Sequence, residues 1–408
     1  VTGQNSDNNS LLFDSNYNHL VYPLPYATIK TIRDASGNVD TNYRFRRVFK
    51  DVAFTSGTAT ITTAAASEAF YGSGALSNSN KATYYHVIAE EEAGSINKGD
   101  VLYMDTGGRA ITVSPSTQAT FNLSNASLSL ECTIIATIED NIAQEKSKTL
   151  NINQVHVITN PNTSATATET IPASDIYKLK GIYTGANTTF TPVPPVLTLG
   201  TVTGTFTQGE IITGSTSNAN GDVILWTSGN STLEYVTNYG TFANSEVVLG
   251  ATSGANGTIT SLDVGNTNVN NNYTWSSGQN DSFYDHGSIT LKYGSTPPTG
   301  QIKVVYDNFS HTGTGYCSVD SYSIPYGDIP SYVSPTTSQE VELRDCLDFR
   351  PRRADGNTTF ENIQIPDDST NVQTDFDAYL QRSDLLSLDT AAVLGLTRGI
   401  PSSSPKTP

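Results

Sequence analysis

Ser288-Ile289-Thr290-Leu291-Lys292-Tyr293, a break at Pro297-Pro298-Thr299-Gly300, then Gln301-Ile302-Lys303-Val304-Val305-Tyr306: in this stretch apolar and polar residues largely alternate on both sides of a proline–glycine loop. A period of two is that of a pleated strand, and two such runs around a Pro/Gly loop predict a β-hairpin. The stretch begins upstream at Trp275 and closes on the run Glu340–Arg353. There Val341, Leu343, Leu347 and Phe349 fall on one parity and would share a face of an extended strand. Most of the charge falls on the other parity, with Asp345 interrupting the apolar face. Pro351 has no N–H to give a ladder, so pairing is expected to stop there.

The whole composition agrees with a pleated chain. Of 408 residues only 15% are charged and 36% hydrophobic, but 21 Tyr and 14 Phe argue against disorder. Those rings, with frequent Val, Ile and Thr, suit strands with polar turns. The length predicts several domains. The expected fold class is mostly β and multi-domain: a β-sandwich, plus a small repeat β-domain inserted in a further β-rich domain, with few short helices.

A net charge of −17 repels phosphate backbones, so no nucleic-acid partner is expected. No apolar run reaches the roughly 18 residues of a membrane helix, so no membrane insertion is expected. No basic-then-apolar leader opens the chain. Three widely spaced cysteines, Cys132, Cys317 and Cys346, fit a reducing assembly compartment. Met104 is the only methionine, and the chain is expected to be a segment of a longer polypeptide.

Taken in order, residues 1–50 read as an extended lead-in. Its apolar clusters are Leu11-Leu12-Phe13 and Tyr22-Pro23-Leu24-Pro25-Tyr26, the second suited to packing across other structure. Tyr43–Phe49 largely alternates rings or aliphatics with basic residues, as a half-buried strand does. Residues 51–158 show short runs at sandwich-like spacing, among them Ala59–Ile61, Tyr84–Ile88, Val101–Met104, Ala110–Val113 and Leu128–Ile138. Residues 159–200 read as linker and strands, 201–263 as a repeat insertion and 264–360 as the β-rich organising domain. The acidic stretch 361–408 reads as extended and continuing. Within it, Asp375–Leu396 is open between a short helix and extended chain.

The repeat is the clearest internal signal. Gly204-Thr205-Phe206 through Val223 recurs as Gly240-Thr241-Phe242 through Ile259, offset by about 36 residues and identical at roughly half the positions. Each copy reads as strand, Gly/Asn-rich turn, strand. Phe206 and Phe242 are expected as buried anchors, and the Asn-Gly steps as the positive-φ turn positions.

Several motifs together carry a resemblance: Gln279-Asn280-Asp281 with Phe283-Tyr284-Asp285-His286-Gly287, Pro297-Pro298 with Gly300, Ser321-Tyr322 with Pro325-Tyr326 and Ile329-Pro330, and Leu343-Arg344-Asp345-Cys346-Leu347-Asp348-Phe349-Arg350-Pro351-Arg352. The set, with the later Tyr379-Leu380-Gln381-Arg382-Ser383-Asp384 and the Gly399–Pro408 tail, resembles large virion structural proteins of tailed bacteriophages. In particular it resembles a domain family of uncharacterised function in T4-like phages such as marine cyanophages. The likeness covers the last third of the chain; Gly-Glu-x-Ile-x-Gly-x-Thr-Ser units like those of the repeat are also common in phage tail proteins. The resemblance implies a location, the virion tail or baseplate, assembled in the host cytoplasm, and no reaction.

Little else points to chemistry. No nucleophile elbow, zinc-protease, paired-cysteine or phosphate-loop motif occurs. The histidines His19, His86, His156, His286 and His311 are scattered, none at metal-ligand spacing. Asp281, Asp285 and His286 are the densest candidates for a metal or general base, against the plainer reading of a capped turn. Glu90-Glu91-Glu92 reads as a solvated loop, with a calcium site as its rival. Arg344, Asp345, Asp348, Arg350, Arg352 and Arg353 concentrate both signs in a charge-poor chain, and are the expected assembly residues, locking this strand to a neighbouring segment or subunit. No catalytic, cofactor or metal residue is expected, and no enzyme.

The expected role is a structural component of a virion tail, baseplate or fibre-attachment region. Expected partners are other tail or baseplate proteins and further copies of the chain, as a trimer or a multiple of three. A host-surface adhesin binding a glycan or protein is the alternative. A polysaccharide-degrading tail enzyme ranks third, since no signal selects a pair among 39 acidic residues.

Overall fold

The computed structural model describes residues 3–4, 11–12, 20–25, 27–33, 36–361, 363–367, 370–390, 392–402 and 404–406. Phe13 and Tyr26 of the lead-in clusters, and Ser403, Thr407 and Pro408 of the tail, lie outside them, as do the side chains of Leu11 and Leu12. The chain is mostly β, 47% strand and 5% helix. It divides into two compact units, the first built from 1–147, 313–351 and 362–408, the second from 148–312 and 352–361. The expected boundary at 158 therefore falls at Ser147/Lys148, and strand Tyr43–Phe54 runs across the expected boundary at 50.

Unit 1 sets two sheets on one core. The strand Leu130–Asp140 pairs with Tyr43–Phe54 on one side and with Glu68–Phe70 and Tyr85–Ala89 on the other. The second sheet orders Thr58–Thr62, Gln118–Asn122, Ala110–Val113 and Gly74–Ala75. Alternation decides the inward faces: Ile134, Ala136 and Ile138 are fully buried from one sheet, Ile111, Val113, Ala119 and Phe121 from the other. Val101–Met104, expected as a strand, makes only an isolated bridge, Val101 to Ile88. One short helix, Asn78–Tyr84, precedes Tyr85. The lead-in straps this core: Val21–Pro23 pairs with Cys346–Asp348, and Ile29–Thr31 with Asp377–Ala378. Burying Leu20, Ile29 and Ile32 gives that strap its hold.

The opening stretch resolves differently from its prediction. His286–Leu291 pairs with Thr168–Ser174 and Tyr273–Ser276, whereas Ile302–Thr312 pairs with Ser147–Ile158 and Ile176–Thr184. The two runs are strands, but not a hairpin; they lie in separate three-stranded sheets of unit 2. Ile289 and Leu291 from one, and Ile302, Val304 and Tyr306 from the other, bury in the same core. The proline-bearing loop lets the strands cross between layers, so they meet face to face. A second correction concerns 341–349. A 3-10 turn at Leu343–Asp345 separates strand Glu340–Glu342 from strand Cys346–Asp348, so no continuous strand forms. The Asp345 side chain leaves the parity pattern to accept from Ile29 N at 2.8 Å.

The repeat closes into a six-stranded barrel inside unit 2. Around the barrel run Val196–Thr203, Thr232–Tyr239, Asn220–Thr227, Ile211–Gly214, Val247–Gly250 and Asn256–Asp263. Phe206 and Phe242 are buried in its core, with Trp226 edge-on to Phe206 and Tyr235 edge-on to Phe242. The copies brace each other reciprocally. Glu210 accepts from Thr207 N at 2.6 Å and, from the other copy, from Thr252 N, Ser253 N and Ser253 Oγ at 3.2, 3.0 and 2.8 Å. Glu246 accepts from Ala243 N at 2.6 Å and from Thr216 N, Ser217 N and Ser217 Oγ at 3.0, 2.9 and 2.8 Å. A Cβ on Gly214 would stand 2.7 Å from the Glu246 carboxyl and one on Gly250 2.7 Å from that of Glu210, so glycine is required where each carboxylate crosses. The Asn-Gly steps do not make the turns as expected: Asn220-Gly221 and Asn256-Gly257 begin strands, and φ is positive two residues earlier, at Asn218 and Gly254.

Candidate functional site

The six charged residues of 344–353 divide between the units. In unit 1, Arg350 is fully buried and grips Asp348 with two bonds, Nε to Oδ1 at 2.9 Å and Nη2 to Oδ2 at 2.7 Å. Its guanidinium lies 4.3 Å from the Tyr332 ring centre, and Lys146 Nζ reaches its carbonyl at 3.5 Å. Asp348 exchanges backbone bonds of 2.8 Å with Cys317, while Phe349 beside it packs on Tyr22, Tyr43 and Tyr316. Arg344 pairs with Glu342 at 3.3 Å over the Tyr326 ring. In unit 2, Arg352 donates to the Phe309 carbonyl at 3.2 Å and to Asp355 at 2.6 Å, and Arg353 pairs with Asp285 at 3.2 Å. These groups tie the segment to neighbouring segments of its own chain, drawing on the fixed fork that suits Arg to carboxylates in water-poor places.

Beside that network sits a carboxyl pair that spacing did not reveal. Glu145 precedes the strand Ser147–Ile158, and Asp320 lies in the 3-10 turn Val319–Ser321, where it also accepts from Thr31 Oγ1 at 2.7 Å and Ile32 N at 2.9 Å. Burial, then the charge of Asp320, push Glu145 up to about 7, against the opposing pull of Arg33 at 3.5 Å. A carboxyl raised on folding is protonated in the folded chain while the unfolded chain has already lost its proton. Its contribution is therefore complete below the ordinary value of 4.5 and lost as pH rises through about 7. Glu145→Gln is expected to flatten that fall and to stabilise unit 1 above neutrality by about 1–2 kcal/mol, read from urea midpoints on either side of the window.

The other sequence candidates are absorbed by local bonds. Asp285 accepts from His286 N at 2.7 Å and His286 Nε2 meets the Ala354 carbonyl at 2.9 Å, so both belong to a turn and its neighbour. Glu90 accepts from Thr133 Oγ1 and Glu91 from Glu131 N. Among the described residues no group of three or more His, Cys, Asp or Glu could hold a metal ion. The three cysteines are buried and form no disulfide with one another. A polar recess of about 310 Å³ is lined by Asn42, Tyr43, Arg44, Glu139, Asn141, Thr370 and Asn371; the Arg44–Glu139 pair at 2.6 Å occupies its wall.

The surface offers a different feature. Among the described residues of 375–396 none is helical, and Leu385–Leu388 pairs with Leu394–Thr397 as a two-stranded hairpin. Leu386 stands opposite Leu396 and Leu388 opposite Leu394, which places four leucines on one face. Each is more than half exposed, from 57% to 67%. The barrel shows a smaller apolar patch where Ile211, Val247 and Leu249 point outward from adjacent strands. Leucine parity across Leu386-x-Leu388 and Leu394-x-Leu396 was the available signal for the hairpin face.

No family model, curated protein or solved structure matches this chain. The fold defines its class as a multi-domain, mostly β protein. Among the described residues no helix is long and apolar enough to cross a membrane.

Proposed function

We propose that the chain is a structural component of a tailed-phage virion, in the tail, baseplate or fibre-attachment region. The observation that carries the reading is the leucine-faced hairpin. An isolated two-stranded hairpin is marginal in water, and an exposed apolar face of this kind is stabilised by docking. Its occupant in this reading is a neighbouring subunit of the same tail assembly, whose sheet covers Leu386, Leu388, Leu394 and Leu396. The motif resemblance of the last third supports the location, and the charge network of 344–353 supplies rigidity to the body that the hairpin joins. Replacing all four leucines by serine is expected to leave both units folded while reducing incorporation into particles at least about tenfold, the cost of losing one to two kcal/mol of docking. Particle-associated protein is measured by quantitative mass spectrometry against a folded, soluble control. Undiminished incorporation of the variant contradicts the role of the hairpin.

The barrel patch favours a second reading, a host-surface binding module. Ile211, Val247 and Leu249 face outward together from two neighbouring barrel strands, an exposed apolar patch suited to a host-surface partner. Saturable binding of the full chain to host envelope, abolished by Leu249→Asp, distinguishes it.

A further inference from the structure

We propose that Lys148 and Asp175 become joined by an intramolecular isopeptide bond, an amide linking the lysine Nζ to the aspartate side-chain carbonyl within unit 2. Lys148 lies on the strand Ser147–Ile158, and Asp175 at the corner between the strands Thr168–Ser174 and Ile176–Thr184. Asp175 adopts φ +56°, a left-handed conformation that aspartate tolerates. The amine and carboxylate touch at 2.9 Å, with side chains 0% and 2% exposed.

The surroundings are those of an acyl-transfer site. Nζ stands 4.3 Å from the ring centre of Tyr284 and 5.9 Å from that of Phe309, and it donates to the Tyr284 hydroxyl at 2.9 Å. Gln279 Nε2 donates to Asp175 Oδ1 at 2.9 Å, where it meets the oxygen that remains as the amide carbonyl and carries charge in the tetrahedral intermediate. His311 Nε2 lies 2.7 Å from Oδ2; a carboxylate only accepts, so Nε2 carries the hydrogen and stands at the oxygen that must leave. A desolvated lysine held against a carbonyl carbon is a competent nucleophile once it loses a proton.

The step balances without an oxidant or reductant. The ammonium passes one proton directly to Oδ2 across their 2.9 Å contact, with the His311 Nε2–H holding that oxygen, and the neutral Nζ attacks the carboxyl carbon. The N–C bond forms, a second nitrogen proton moves to the Oδ2 hydroxyl, and the C–Oδ2 bond breaks to release water. The third hydrogen stays as the amide N–H. Before reaction, burial opposes charge on Asp175, but Lys148 and His311 outweigh it and hold the carboxyl well below its usual range. The product replaces a desolvated ion pair, which gains little from its own attraction, by a neutral amide.

The test is the intact mass of the purified full chain, followed by digestion. The expected result is a mass lower than that of the sequence by one water, with a branched peptide joining the segments that contain Lys148 and Asp175. Lys148→Arg is expected to restore the full mass, and His311→Gln to slow formation at least about tenfold while the wild-type result stands without either variant. A folded wild-type chain of unchanged mass, or a loss of water without that branched peptide, overturns the proposal.

Discussion

Arg350→Ala is expected to destabilise unit 1 by about 3–5 kcal/mol, because it leaves the Asp348 carboxylate buried without its bidentate partner. Arg350 is fully buried, and the same substitution empties the space against Tyr332. The loss spreads through Asp348, whose backbone pairs with both Cys317 and the strap residue Val21. Hydrogen exchange should therefore rise first at 20–24 and 317. Arg350→Lys keeps the charge but loses the fork, and is expected to recover only part of the stability. Asp348→Leu combined with Arg350→Met removes both charges together and is expected to cost far less than Arg350→Ala alone, since neither member of the pair is left buried without the other. Urea unfolding of the three variants distinguishes a locked ion pair from mere packing: equal costs for Arg350→Ala and the double variant contradict it.

Glu210→Ala carries the second largest expected effect, about 2–3 kcal/mol in the barrel, the scale of charge-assisted bonds lost together. Glu246→Ala should cost nearly the same, because the two carboxylates cap equivalent turns of the opposite copy. Trp226, edge-on to Phe206, reports the barrel by fluorescence. Burial alone would raise the Glu210 carboxyl, but donors from Ser253, Thr207 and Thr252 outweigh it and hold it below its ordinary value. A carboxyl lowered on folding contributes stability above its ordinary value and loses it as pH falls through the folded one. Acid should thus loosen the wild-type barrel more than a Glu210→Gln barrel. A Glu210→Ala chain with unchanged barrel fluorescence and midpoint contradicts the bracing.

How much of this was legible depended on the range of the contact. The repeat announced itself, with Phe206 and Phe242 in place, because both copies carry the same spacing of apolar residues. The same spacing holds Glu, Gly and Thr-Ser at matching positions, yet the exchange of Glu210 and Glu246 between copies appears only once the barrel closes. Alternation in 288–293 and 301–306 fixed which side chains bury but not which edges pair, so two facing sheets read as a hairpin. Likewise parity could not show that Leu343–Asp345 turns, since Asp345 is drawn away by the amide of Ile29, more than three hundred residues earlier. Glu145 with Asp320, and Lys148 with Asp175 and His311, are joined only by non-local topology. Periodicity carries none of that information.

The central proposal is that the chain serves by its place in a particle. Quantitative mass spectrometry of gradient-purified tailed-phage particles, from a lysate in which this chain is encoded, tests it most directly. The expected result is peptides across both units at a fixed copy number per particle, a multiple of three, cosedimenting with the tail fraction after disruption. Recovery of the chain only as free protein in the lysate, with none in purified particles, contradicts it.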